Sequence, residues 1–229
     1  MKVRATAHCG RGGDRFLRFA GGLAVPAIYV LCVRPRMLTW GAMPDEVLGP
    51  YPGDEMFPRP NGGATMATTI AAPPAQVWPW LAQMGGDRGG WYSWDRIDNN
   101  GRPSVDRLVP EWQDLHEGQR LKGPTNWFTV AIVEPGRTLV LHSSYRLTGR
   151  PFEPSDRMPW SYVDAIWGFH LRQTADGHCR LIVRTRGRNG PRWLTGPLAV
   201  LVWEPVHFVM QMRQFHNLSR RVRRDRFAG

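Results

Sequence analysis

Apolar and polar positions alternate in three distinct regimes along the chain. From Phe19 to Val33 the residues FAGGLAVPAIYVLCV carry no charge, with Arg11, Arg15 and Arg18 before them and Arg34 and Arg36 after. Extending to Phe16 gives an apolar stretch over 16–33, short against the roughly 20 residues of a spanning helix, with Arg18 placed to snorkel to headgroups. The reading is a single amino-terminal membrane anchor of undetermined orientation, since basic residues flank both sides. A signal peptide competes with it, although no small-x-small cleavage site follows Val33, and so does a buried or interfacial helix, which leaves a cytoplasmic chain as the alternative location.

Residues 37–63 hold five prolines and five glycines and show no helical or strand period. They predict an extended connector along the domain surface, with a helical turn starting at Pro44 and Asp45 and Glu46 in its first turn. From Ala64 the pattern becomes that of a packed domain over 64–229. ATMATTIAA reads as a strand, and PPAQVWPWLAQMG as a helix with Val77, Trp80, Leu81 and Met84 on one face. A second short helical segment is expected in GGWYSWDRIDNNG. Two hairpins follow, Trp127–Val133 with Thr138–Leu141, and 161–173 with 179–186 around Asp176-Gly177. In the last strand Leu181, Val183 and Thr185 share a face predicted to be buried, while Arg180, Arg184 and Arg186 border one predicted to be wet. After the apolar run WLTGPLAVLVW, a closing amphipathic helix places Phe208, Met212, Phe215 and Val222 on a stripe and Arg213, Arg220, Arg221 and Arg224 off it. Pro205 should kink that helix or mark its start.

Charge changes the picture through its position. The 229 residues carry a net charge of +11, and all of that excess lies in residues 1–36 and 213–226, so 37–212 is balanced. A uniformly positive nucleic-acid-binding face is disfavoured; two basic clusters near a membrane surface fit better. Only Lys2 and Lys122 are lysines among the 30 basic residues. Cys9, Cys32 and Cys179 are too scattered for a disulfide framework or a zinc site, and no metal or cofactor is expected.

The succession of strand, short helices, antiparallel strands and long closing helix, with TIAAPPAQVWPWLAQMG (69–85), GGWYSWD (89–95), DLHEGQRL (114–121), EPGRTLVL (134–141) and EPVHFVMQMR (204–213), resembles the START-like, or SRPBCC, superfamily. Trp40 to Val47 and Pro52 to Glu55 resemble a bacterial subgroup with an amino-terminal hydrophobic segment. The resemblance implies an α+β helix-grip fold, in which a curved antiparallel sheet wraps a long carboxy-terminal helix, and a cavity between them suited to a hydrophobic small molecule or lipid. Trp91, Tyr92, Trp94, Phe208, Met210, Met212 and Phe215 are the candidate lining; the same residues would equally serve as plain core, and the aromatic segment as a cap on the sheet's open end.

A fold of this kind hosts both carriers and enzymes. Binding without a cofactor is the first expectation. A polyketide cyclase/dehydrase-like enzyme using His142, His170 or Asp95 as acid or base is the second. Glu204 and His207 have the Glu-x-x-His spacing, but with no second such motif they are assigned to capping or a buried hydrogen bond rather than a metal.

Overall fold

A computed structural model describes residues 26–152 and 158–228. The chain divides into two units, Met1–Met37 and Leu38–Gly229. Of the first, residues 26–37 are described and helical, with a π-helical turn at Tyr29–Val33 running into α1 (Arg34–Leu38). Ile28, Val30, Leu31 and Val33 are exposed. Residues 16–25 of the expected anchor lie outside the described residues.

The second unit is built on one six-stranded antiparallel sheet in the order β1-β6-β5-β4-β3-β2. Its strands are β1 (Gly62–Ile70), β2 (Arg120–Lys122), β3 (Trp127–Glu134), β4 (Thr138–Arg146), β5 (Tyr162–Gln173) and β6 (Cys179–Gly190). Both predicted hairpins form, β3 with β4 and β5 with β6. The helix opened by Pro74 is α3 (Pro74–Ala82), and its predicted apolar face, Val77, Trp80 and Leu81, is fully buried together with Met84. The second short helix is only α4 (Asp95–Asp98). Residues 91–93 instead run irregularly, with Tyr92 at a φ of 59°.

α5 (Arg192–Leu198), a π-helical turn at Ala199–Trp203 and α6 (Glu204–Ala228) make up the closing helix. Pro205 neither stops nor starts it. Proline lacks an N–H and crowds the carbonyl four residues back, and the widened turn just before it accommodates both defects. One face of the sheet packs on α6: Met66, Ile70, Leu139, Leu141, Phe169, Leu171, Leu181 and Val183 form a single core with Phe215, Leu218 and Val222. Strands wrapped around a carboxy-terminal helix in this way constitute the α+β helix-grip arrangement.

The opposite face is not wet. Residues 39–61 cross it as a strap, which starts at the β1 edge where Ala67 N–H donates to the Trp40 carbonyl at 3.0 Å. The turn predicted at Pro44 is α2 (Pro44–Leu48); its Glu46 accepts from Met43 N–H and forms a forked pair with Arg180 at 2.6 and 2.7 Å. Asp54 accepts from Arg184 Nε at 2.8 Å. Tyr51 packs on Ala67 and Ile182, and Phe57 on Val140 and Ile166. The arginines of β6 that alternation assigns to solvent are thus covered by a segment more than 110 residues away in sequence.

Candidate functional site

The space between sheet and closing helix is divided. Toward one end, large side chains fill it. Toward the other, the inward positions of the strands are small, Ala64 on β1, Ala165 on β5 and Gly187 on β6, and Ala165 and Gly187 are cross-strand partners. A cavity of about 320 Å³ remains there. Val163, Thr185 and Tyr145 complete its floor, and Leu198, Val202, Val206 and His207 of the closing helix form the facing wall. The start of that wall is fixed by Thr195, whose hydroxyl donates to Asn189 Oδ1 at 2.7 Å.

Few polar groups reach this space. Tyr145, Glu204 and His207 belong to its lining, whereas Arg186 and Arg188, also along its edge, send their guanidinium groups to the Phe57 and Arg59 carbonyls on the opposite face. Burial raises the pKa of the Tyr145 hydroxyl, so it is present as the neutral phenol. The His207 ring lies between Trp203, stacked at 6.0 Å, and Trp167, edge-on at 6.3 Å. Its Nε2 has no hydrogen-bond partner, and burial lowers its pKa to about 4, which leaves it neutral. Among the described residues no group of three or more His, Cys, Asp or Glu side chains is placed to hold a metal ion.

None of the aromatic and methionine residues expected to line a cavity lines this one. Trp91 is buried in an aromatic cluster with Phe128 and Trp167, and its Nε1 donates to the Lys122 carbonyl at 3.1 Å. Tyr92 is buried against Trp80, accepts from Gln83 Nε2 at 3.0 Å and lies under the Arg221 guanidinium at 4.8 Å. Trp94 is 44% exposed, covered by Arg213 at 4.9 Å. Phe208 and Met212 pack against the main core, Phe215 stacks on Trp40 at 6.3 Å, and the Met210 carbonyl accepts from the Ser93 hydroxyl at 3.1 Å.

The candidate acid–base residues are also placed elsewhere. His142 and His170 project from the strap face of the sheet. The His170 ring lies 4.7 Å from that of Tyr51, and burial lowers its pKa to about 4. His142 Nε2 is 2.7 Å from Asp164 Oδ1 and 3.2 Å from Ser144 Oγ, while Ser144 donates directly to Asp164 at 2.7 Å. A nucleophilic relay needs the serine and the acid on opposite ring nitrogens, so this cluster is a hydrogen-bonded support. Burial alone would raise the pKa of Asp164, but the bonds from His142 and Ser144 hold it below the ordinary carboxylate range. Asp95 accepts from Ser104 at 2.6 Å. Its neighbour Asp98 is pushed up to about 6, by burial first and by the Asp95 charge second.

Of the carboxy-terminal arginines, Arg221 is buried: it donates from Nε to the Val105 carbonyl at 2.7 Å and from a terminal nitrogen to the Ser104 carbonyl at 3.1 Å. Arg220, Arg223 and Arg224 are exposed. Two signals in the sequence bear on the cavity, the run of small residues Gly62-Gly63-Ala64 and the shared helix face of Glu204 and His207; the pairing of Gly62 with Gly187 is supplied only by the fold.

The protein defined by these features is a helix-grip domain with an apolar cavity, open to the surface, at one end. No family model matches the chain, and no curated protein matches it. Among solved structures, protein MLL2253 from Mesorhizobium loti is 19% identical, with coverage of 71% of this chain and 98% of that one and a TM-score of 0.39. NE0264 from Nitrosomonas europaea is 15% identical over 71% of this chain and 95% of its own, at 0.42. CalU16 from Micromonospora echinospora is 15% identical over 70% and 83%, at 0.34.

Proposed function

We propose that the chain binds a hydrophobic small molecule or lipid in the cavity between the small-residue end of the sheet and the first half of the closing helix, at a membrane. The observation that carries this reading is the cavity itself. At about 320 Å³ it is at the lower end of small-molecule sites, and its walls are apolar with a few convergent polar groups. Burial of an apolar ligand supplies the affinity, and Tyr145, Thr185 and His207 set its orientation. The amino-terminal segment serves as the anchor, its described part being helical with exposed apolar side chains.

Native mass spectrometry of the full chain released from detergent tests this. The expected result is a co-purifying apolar mass that is absent from Ala165→Phe and Val202→Trp, two substitutions that fill the cavity from opposite walls. A parent protein that emerges empty and gains no thermal stability from fatty acids, phospholipids or isoprenoids overturns the reading.

A cofactor-independent cyclase/dehydrase-like activity has one specific support, the neutral His207 in the lining, whose buried Nε2 has no partner. It would act in place of His142, His170 and Asp95. Turnover of a bound polyketide-type substrate that is lost in His207→Gln, with ligand binding kept, would favour this second reading.

A further inference from the structure

The cavity does not open beneath a polar surface. Leu198, Val202 and Trp203 of its lining are exposed, and so are Leu201 between them in sequence and the tryptophans Trp160 and Trp193, Trp193 at 71% and Leu201 at 67%. Trp160 and Trp193 contact each other edge to face at 6.2 Å, and Leu198 and Val202 are shared between this tip and the cavity wall. Leu201, Val202 and Trp203 are consecutive in the widened turn, so they fan out around the helix, Val202 toward the cavity and Leu201 and Trp203 to either side of it. A helix apolar on several sides suits a protein interior or a lipid phase, and the charge around it decides between them. Among the described residues, the helix Arg192–Asp225 is long and apolar enough to cross a membrane. Its second half is nevertheless committed to the domain: Gln214 donates to the Trp91 carbonyl at 2.9 Å, Asn217 to the Tyr92 carbonyl at 2.9 Å, and Arg221 to Val105 and Ser104. The bare half alone is available.

Charge at the rim favours one kind of surface. Arg146 adjoins Leu147, Arg192 adjoins Trp193, and Arg150 lies in the same turn after β4; all three are exposed. Tryptophan and arginine around an apolar tip are the side chains suited to the boundary between acyl chains and anionic headgroups. The exposed arginines beginning at Arg220 lie 17 positions beyond Trp203 on the same helix, about 26 Å away and well past the screening length of about 8 Å at physiological salt.

We propose that this tip, rather than the basic carboxy-terminal end, enters the interface of an anionic bilayer, so that the cavity exchanges its ligand directly with the lipid phase. The inference rests on the ligand-binding reading above. It can be tested on the full chain, with Cys9 and Cys32 replaced by serine, by placing an environment-sensitive fluorophore at position 201 (Leu201→Cys) or at position 224 (Arg224→Cys). In vesicles of phosphatidylcholine with phosphatidylglycerol, the probe at 201 is expected to lose most of its emission to an acyl-chain spin-labelled lipid and to resist aqueous iodide, with the probe at 224 behaving the opposite way. Arg192→Gln is expected to weaken the lipid-dependent signal at 201 by about fivefold. Iodide quenching of both probes alike overturns the proposal. So does shielding of position 201 without lipid that grows with protein concentration, which assigns the patch to a second copy.

Binding of anilinonaphthalene sulfonate, displaced by oleate and abolished by Val202→Trp, is measured in parallel. If that binding is present while position 201 stays in water, the bilayer face fails and the cavity reading stands. If position 201 is in lipid while the parent protein binds no apolar ligand, the cavity reading fails alone.

Discussion

The two faces of the sheet are both covered, by opposite means. Against α6, strands β1, β4, β5 and β6 present Met66, Leu139, Leu141, Phe169, Leu181 and Val183, and the cover is apolar contact. Against the strap, β6 presents Arg180, Arg184 and Arg186, and the cover is a set of ion pairs and carbonyl contacts with a few aromatic plugs. Antiparallel sheets often leave their second face to water, and simple alternation assumes they do. What the contrast teaches is that polar alternation reports a chemically different face, which can still be buried when a distant segment supplies matching charges.

The largest effect is expected on the helix face. Phe169→Ala should cost about 3–5 kcal/mol in urea unfolding, because a fully buried ring leaves a cavity that the aromatic cluster cannot refill. A cost under about 1 kcal/mol would place the main core elsewhere.

pH separates the faces next. His170, under the strap, titrates near 6.5 when unfolded and near 4 when folded. Between those values the unfolded chain holds more protons, so this group lowers stability as pH falls through the window, by on the order of 3 kcal/mol in all. Asp98, beside the loop gripped by α6, is raised from 3.8 to about 6, and the folded state holds the extra proton. Its contribution falls as pH rises through that range. The two slopes oppose each other between pH 4 and 6. His170→Asn should therefore give a stability that declines from pH 4 to 6, and Asp98→Asn one that climbs; profiles of unchanged slope in both variants would dismiss these assignments.

Smaller effects come from the strap itself. Burial works against ionised Glu46, but the Arg180 fork and the Met43 N–H keep its pKa below normal. Glu46→Gln should cost about 2 kcal/mol, less than for a fully enclosed pair because Arg180 retains some access to water. Gly53 has a φ of 95°, and a Cβ there would sit 3.0 Å from Val140 Cγ1. Gly53→Ala should cost about 1 kcal/mol from the backbone term, and an unchanged melting temperature would show that the strap yields at this point.

Much of the fold is legible in the sequence, because its signals are local. The prolines at 73 and 74, the 3.6-residue period of Val77, Trp80 and Leu81, and the turn at Asp176-Gly177 each operate within a few residues. The strap is not legible in that way. Tyr51 and Phe57 stand among prolines and glycines, and Glu46 and Arg180 are 134 positions apart. No period links them. The cavity is hard to read for a related reason: large aromatics such as Trp91 and Tyr92 attract attention, whereas this cavity lies where side chains are small, and Ala64, Ala165 and Gly187 come together only through strand register. His142 and His170 have even-numbered positions on strands whose inward residues are odd, a parity visible in the sequence once the inward face is known.

The separation between Glu46 and Arg180 also bears on how the chain is made. The strap leaves the ribosome long before β6 does. At about 5–20 residues per second it waits roughly 7 to 27 s for the arginines that receive it. Through that interval its carboxylates keep it soluble, and its prolines and glycines deny it a competing secondary structure. A segment that looks featureless in composition is thereby suited to arrive first and dock last, closing the sheet from behind once the final hairpin is in place.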